Sequence, residues 1–247
     1  MKRRKRRYRI NNSIERRVRV VIIDSGIDAG ILGLYVNDKA STAFRINEEG
    51  YITEVKDLKA CHIHGTVIAL LIRHICKNVE FISINILNER LVSDARVLLC
   101  AFKRAVEIKP DIVHLSLGTT KWKYRFALNT IVRHARKNNI IVVAAANNEG
   151  KKSYPAYLRG VIGVKARVMK DNNPFDYQDG FFYAPLDTKG IEEFETLGVS
   201  DYATGSSVAA AYMTGYIASL ISSRKKIVYC SEIIGLLKSS DFKDRGI

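Results

Sequence analysis

Apolar runs of strand length alternate with helix-like stretches along this chain. "VRVVIID" (18–24), "VEFISINIL" (79–87), "DIVHLSL" (111–117), "IIVVAAA" (140–146) and "GVIGVKA" (160–166) are apolar and rich in β-branched residues, as strands buried on both faces are. Between them, residues 64–77, 94–108 and 124–138 read as helices. Continuously apolar strands separated by helices predict a mostly parallel central sheet with helices on both faces, an α/β fold. After residue 166 the pattern loosens into turn formers and charge, then closes with apolar helices over 207–222 and 230–238. With no low-complexity linker and no internal repeat, the reading is one domain, 18–247, behind a basic arm, 1–17.

Composition refines this picture. The chain has 247 residues, 47% of them apolar, enough for a large core. No stretch is long enough to span a bilayer. The basic start "MKRRKRRYRINNSIERR" lacks the apolar segment a signal peptide requires; "VRVVIIDSGI" is short and contains Asp24. Export by that route is not expected. Cys61, Cys76, Cys100 and Cys230 are scattered without paired metal spacing, so reduced cysteines in a cytoplasmic protein are expected. Of the net charge of +15, more than half sits on the arm, which has nine Lys or Arg against Glu15. Such a run is either a solvated tail or a dock for an anionic partner.

In an open parallel sheet, ligands collect beyond the carboxyl ends of the strands. Asp24 ends the first run, His64 opens the first helix, Asn148 follows "VVAAA", and Ser207 starts the helix in "TGSSVAAAYMTG". Each has a plain structural reading: a turn-capping Asp, a surface His, an Asn in a turn, a Ser capping a helix. Together they are the parts needed for nucleophilic acyl transfer. A serine hydroxyl needs an imidazole to take its proton, the imidazole needs a carboxylate to hold its tautomer, and the developing oxyanion needs fixed donors.

The blocks "DSGID", "HGT", "SLG" (116–118), "AAANNEG" and "GSSVAAA", in that order, resemble the subtilisin-like serine protease (subtilase) family over about residues 18–223. The resemblance implies a peptide-hydrolysing enzyme in which Asp24 orients the imidazole, His64 is general base and then acid, Ser207 is the nucleophile and Asn148 donates to the oxyanion. It also implies that Ser116, Leu117 and Gly118 pair with an extended peptide or protein substrate. Ala145, Ala146 and Asn147 would wall its main specificity pocket, and Leu91 and Val92 would form the opposing edge.

Against the family pattern, Ser206 replaces Thr, Ala211 replaces Pro and Asn147 replaces Gly. An Asn at 147 tolerates positive φ but adds a side chain, so narrower specificity is expected. The segment after His64 passes from helix to strand without the insertion that carries the family's strongest calcium site. No cofactor and no calcium dependence through that site are expected. Only about seventeen residues precede the first strand, so folding without a long prodomain, or with help supplied separately, is expected. His62 and His74 read as surface neighbours rather than metal ligands, and His114 as a satisfied core residue. Trp122 and Tyr124 would rim the cleft or pack the next helix. The reading is an intracellular endopeptidase that processes a particular peptide or protein, such as a leader-bearing precursor, with general turnover as the rival. The alternative class is a catalytically silent binding module recruited to an anionic partner by the arm.

Overall fold

A computed structural model describes residues 17–31, 34–56, 59–169, 173–223 and 230–238. In chain order these form β1 (Val18–Asp24), β2 (Thr42–Ile46), β3 (Ile52–Val55), α1 (His64–Ile75), β4 (Val79–Asn85), α2 (Ala95–Glu107), β5 (Ile112–Leu115) and α3 (Arg125–Lys137). There follow β6 (Ile141–Ala145), β7 (Ile162–Ala166), β8 (Asp176–Gln178), β9 (Phe181–Ala184), α4 (Glu192–Thr196), α5 (Ser206–Ser222) and α6 (Cys230–Lys238). The strands make one sheet in the order β3-β2-β4-β1-β5-β6-β7-β9-β8. All pairings are parallel except β2 with β3 and β8 with β9. The expected arm lies outside the described residues apart from Arg17, whose guanidinium sits 4.0 Å over the Tyr35 ring.

Two core layers explain why the central strands read as unbroken apolar runs. Val18, Val20 and Ile22 of β1 pack with α1 and α5, whereas Val21 and Ile23 face α2 and α3. The same alternation runs through β6, with Ile141, Val143 and Ala145 on one side and Val142 and Ala144 on the other. A strand between two helical layers has no solvent face, so most positions are apolar and a polar one needs a buried partner. Helix α5 is buried along most of its length, from Ser206 to Ala218, except at half-buried Ser207 and Tyr212. It packs against both α1 and the sheet, which accounts for its small-residue start.

Three of the expected strands, β4, β5 and β6, end earlier than their apolar runs. Past β4, the amides of Ile86 and Leu87 both turn to the Asp24 carbonyl, at 2.8 and 3.2 Å. Past β5, the chain leaves the sheet and Thr119 pairs with Tyr154 through two 2.8 Å bonds. The two edge hairpins, β2–β3 and β8–β9, were not expected from the apolar pattern. They are short and partly exposed, so their alternation is weak; Asp179 and Gly180, with φ of 52° and 83°, make the tight turn of the second.

Around β1 the chain order reverses: β4 lies on one side and β5 on the other. Loops on either side of such a reversal diverge and leave a crevice at the carboxyl ends of the strands. That places the carboxyl end of β1, and Asp24, at the geometric centre of the site.

Candidate active site

Asp24 and His64 are brought together by an interlock of two short motifs. The Ser25 hydroxyl donates to the His62 carbonyl (2.8 Å) and accepts from the Gly65 amide (3.1 Å). The Thr66 hydroxyl accepts from the Asp28 amide at 2.9 Å. Gly65 is required for space: a Cβ there would run into the Gly26 carbonyl and lie 3.2 Å from the Asp24 side chain. With that gap closed, His64 Nδ1 lies 2.8 and 3.0 Å from the two Asp24 carboxylate oxygens. The Ser25 amide donates to the same carboxylate at 2.7 Å. His62, read as a surface neighbour, is half-buried and joins this group. Its Nδ1 accepts the first amide of α1, from His64, at 3.0 Å, a capping role that the HIH spacing gave no sign of.

Both members of the pair are buried. Burial penalises each charge, yet their mutual attraction and hydrogen bond outweigh it. Asp24 titrates below its ordinary 3.8, helped further by Ser116 and by the Ser25 amide, and His64 titrates above its ordinary 6.5. The Ser116 hydroxyl, next along the chain after the Leu115 of β5 that pairs with Ile23, is one of the groups that stabilise the carboxylate.

The second half of the site forms at the start of α5. Gly205, with φ of 74°, precedes the helix, and a Cβ on it would come within 2.9 Å of the Asn148 amide. Asn148 Oδ1 accepts from the Ser206 amide (2.9 Å) and from the Ser206 hydroxyl (2.6 Å). Asn148 therefore supplies the helix cap that Ser207 could have supplied. A backbone N–H can only donate, so Oδ1 must face it, which leaves the Nδ2 donor of this exposed residue out of the cap. Ser207, one position into the helix and half-buried, donates to the Ser116 carbonyl at 3.1 Å. Among the described residues no hydrogen bond joins Ser207 to His64.

The remaining expected residues line the same end of the sheet with different roles. Ser116 and Leu117 are half-buried and Gly118 exposed, directly after β5. Ala145 and Ala146 bury their methyls in opposite core layers. Asn147 does not take positive φ, and its side chain accepts from the amides of Glu149 (2.9 Å) and Lys151 (3.3 Å). Its carbonyl oxygen is thus committed to its own turn, where an Asn side chain mimics a backbone acceptor. Glu149 pairs with Lys151 at 2.7 Å. Leu91, with φ of 57°, and Val92 are exposed on a turn that the Asn88 side chain holds through the amides of Arg90 and Val92, both at 3.0 Å. Trp122 is exposed in a turn leading into α3, and Tyr124 packs against the α2–α3 layer. His74 lies 3.2 Å from Glu193, which also pairs with Arg73. Cys61 and Cys100 are free thiols. Helix α1 passes to β4 through Cys76 and two further residues only. No group of three His, Cys, Asp or Glu among the described residues could hold a metal.

A buried carboxylate–imidazole pair thus lies at the carboxyl end of β1, and a half-buried hydroxyl lies at the start of α5, which the exposed Asn148 caps. The model of the subtilase family matches residues 15–179. Subtilisin DY of Bacillus licheniformis is 28% identical over 235 residues, covering 90% of this chain and 83% of that one. An intracellular serine protease of Paenibacillus polymyxa is 26% identical over 223 residues, covering 84% and 68%. Several other subtilisins are longer, and the chain spans 55% of them. Among solved structures, the epidermin leader peptide processing serine protease of Staphylococcus aureus superposes with a TM-score of 0.71 at 18% identity, covering 93% of this chain and 72% of that one. The chain belongs to the subtilase family. By class it is a serine endopeptidase.

Proposed function

We propose that this protein is an intracellular endopeptidase that works through Asp24, His64 and Ser207, with Asn148 as oxyanion donor, and that it cleaves the leader from a peptide precursor. The observation that carries the reading is the buried Asp24–His64 bond, 2.8 Å long, at the switch point of the sheet. In this mechanism Ser207 Oγ bonds to the scissile carbonyl carbon while its proton passes to His64 Nε2. Asp24 holds the Nδ1–H and stabilises the imidazolium. The negative oxygen is received by Asn148 Nδ2 and by the Ser207 amide, a free donor of the first turn of α5. His64 then returns the proton to the leaving nitrogen as the C–N bond breaks. Water, deprotonated by the same imidazole, releases the acyl group from Ser207.

The Ser116 carbonyl has a part in this. It holds the Ser207 hydroxyl at 3.1 Å, and it lies on the edge expected to bond an extended substrate. A substrate amide arriving there would compete for that carbonyl and free the hydroxyl for His64. Support for leader removal comes from the fold likeness to the epidermin leader protease. The Paenibacillus relative and the free thiols of Cys61 and Cys100 support an intracellular setting. In the same reading the cationic arm attracts an acidic substrate or partner, with a salt-sensitive affinity that deletion of residues 2–9 should abolish. The hydroxyl's position on Ser116 is also what a silent binding module would show, and one experiment separates the two. Intact protein and Ser207→Ala are incubated with a proteome-derived peptide library, with chelator present, and products are read by mass spectrometry. Cuts that need Ser207 support the endopeptidase, and their flanking residues distinguish processing from turnover. Cuts by both proteins, or by neither, overturn it.

A further inference from the structure

The second buried histidine is absorbed by none of these roles. His114 lies on β5 opposite Ile22 of β1, and none of its surface is exposed. Its Nδ1 is 2.8 Å from the Thr214 hydroxyl on α5, and its Nε2 is 2.9 Å from the Ser116 hydroxyl. Burial pushes its pKa down to about 4, with Asp24 pulling it up and His64 pushing it further down. Those two are the charged groups that face it, and Thr214 is the neutral polar group of α5. At neutral pH the ring carries one N–H and one lone pair.

We infer that His114 is a positioning residue, held as the Nε2–H tautomer between Thr214 and Ser116, which turns the Ser116 hydroxyl proton onto the Asp24 carboxylate. The inference rests on the assignment of Asp24, His64 and Ser207 made above. Two tautomers are available. If Nδ1 carries the proton, Ser116 must commit its only proton to Nε2 and nothing is left for Asp24. If Nε2 carries it, Thr214 donates to Nδ1, Nε2 donates to Ser116, and the Ser116 proton reaches the carboxylate whose charge that hydroxyl already stabilises. A hydrogen bond to an ionised acceptor is roughly twice as strong as a neutral one, so the second arrangement wins. Every proton in the chain Thr214, His114, Ser116, Asp24 is then used in one direction, and each bond polarises the next. The chain also ties the helix bearing Ser207 to the strand bearing Asp24. A carboxylate that shares its charge with Ser116 holds the His64 Nδ1–H less tightly. Without that share, Asp24 favours the imidazolium more, and His64 loses its proton only at higher pH.

The test uses the full chain with ¹⁵N-labelled histidine. Long-range ¹H–¹⁵N spectra report which ring nitrogen carries the proton, and the His114 signals are those lost in His114→Gln. The expected result is a protonated Nε2 and a bare Nδ1, unchanged from pH 8 to about 6, well above the ring's depressed pKa. In kinetics, His114→Leu should lower kcat about five- to tenfold, the size of one lost hydrogen bond. KM should hold, and the acid limb of kcat/KM should move to higher pH. His114→Gln keeps an N–H near the Nε2 position and should restore part of both effects. An Nδ1–H tautomer in the wild type overturns the proposal, as does an unmoved acid limb in folded His114→Leu. The tautomer is read without turnover. An Nδ1–H signal in a protein whose activity needs Ser207 therefore removes the positioning role alone, whereas activity surviving in Ser207→Ala removes the triad on which it rests.

Discussion

The two halves of the site are built to different standards of closure. Asp24 and His64 are buried, joined to each other and clamped by Ser25, Gly65 and Thr66. Ser207 is half-buried, Asn148 is exposed, and the serine hydroxyl rests on the Ser116 carbonyl. In the proposed mechanism, the difference follows from what each half does. Holding a proton on one nitrogen of an imidazole demands a fixed partner in a low dielectric, and that can be finished before substrate arrives. Attacking a carbonyl demands access, so that half stays open at a helix start whose free amides and dipole await a negative oxygen.

The comparison can be broken from either side. Ser207→Ala, which removes one oxygen from a half-exposed position, should cost several orders of magnitude in kcat with the thermal midpoint unchanged, as checked by peptide hydrolysis and calorimetry. Asp24→Asn should cost about 10⁴-fold, because an amide N–H facing Nδ1 forces the imidazole proton onto Nε2, where the base must be bare. That loss should come with a lower midpoint, since the substitution sits in the buried half. Asn148→Asp separates catalysis from capping: a carboxylate still accepts from Ser206, so α5 keeps its cap, but no donor faces the oxyanion. Loss of one such donor in a subtilisin costs about a hundredfold or more in kcat, and a similar fall is expected here without loss of stability.

Smaller effects sharpen the same contrast through pH. Pairing with Asp24 raises the His64 pKa against burial, and the base must be neutral to act. Activity should therefore climb as pH rises through a value above 6.5. The pair's contribution to stability has two edges: the part from His64 fades as pH rises through that value, and the part from Asp24 is lost as pH falls through its lowered pKa. His114 has the opposite sign. Between pH 6.5 and about 4 the unfolded chain binds a proton that the folded ring refuses. Acidification over that window should cost up to about 1.4 kcal/mol per pH unit. Denaturant titrations of wild type and His114→Gln at several pH values check this, and the variant should lack that part of the slope.

The central strands were legible because burial on both faces leaves an unbroken apolar run, and the helices flanking them followed. The edge hairpins were not, since β2–β3 and β8–β9 have an exposed side and owe their place to pairing with a neighbour. At the site, Asp24, His64, Asn148 and Ser207 could be picked out because each stands at or just past the end of an apolar strand or at the start of a helix, where such sheets gather ligands. Their supports could not. Ser25 and Thr66 read as ordinary turn and helix residues until their partners, 37 and 38 positions away, are known. Asn147 shows the converse. It was expected to wall the specificity pocket, and what only the fold shows is that its oxygen also holds the turn that follows it.

By itself the sequence determined the layered sheet, the order of the functional blocks and the residue types available for chemistry, because these follow from local pattern and from what each side chain can donate or accept. The fold decided which of those side chains share protons. Whether Ser207 caps its helix or faces the cleft depended on Asn148 taking the cap from 58 residues away. Whether His114 was inert packing depended on Thr214, a hundred positions downstream, standing 2.8 Å from its ring. Hydrogen bonds act over about 3 Å and carry no memory of chain separation, so their pattern exists only once the sheet has brought those positions together.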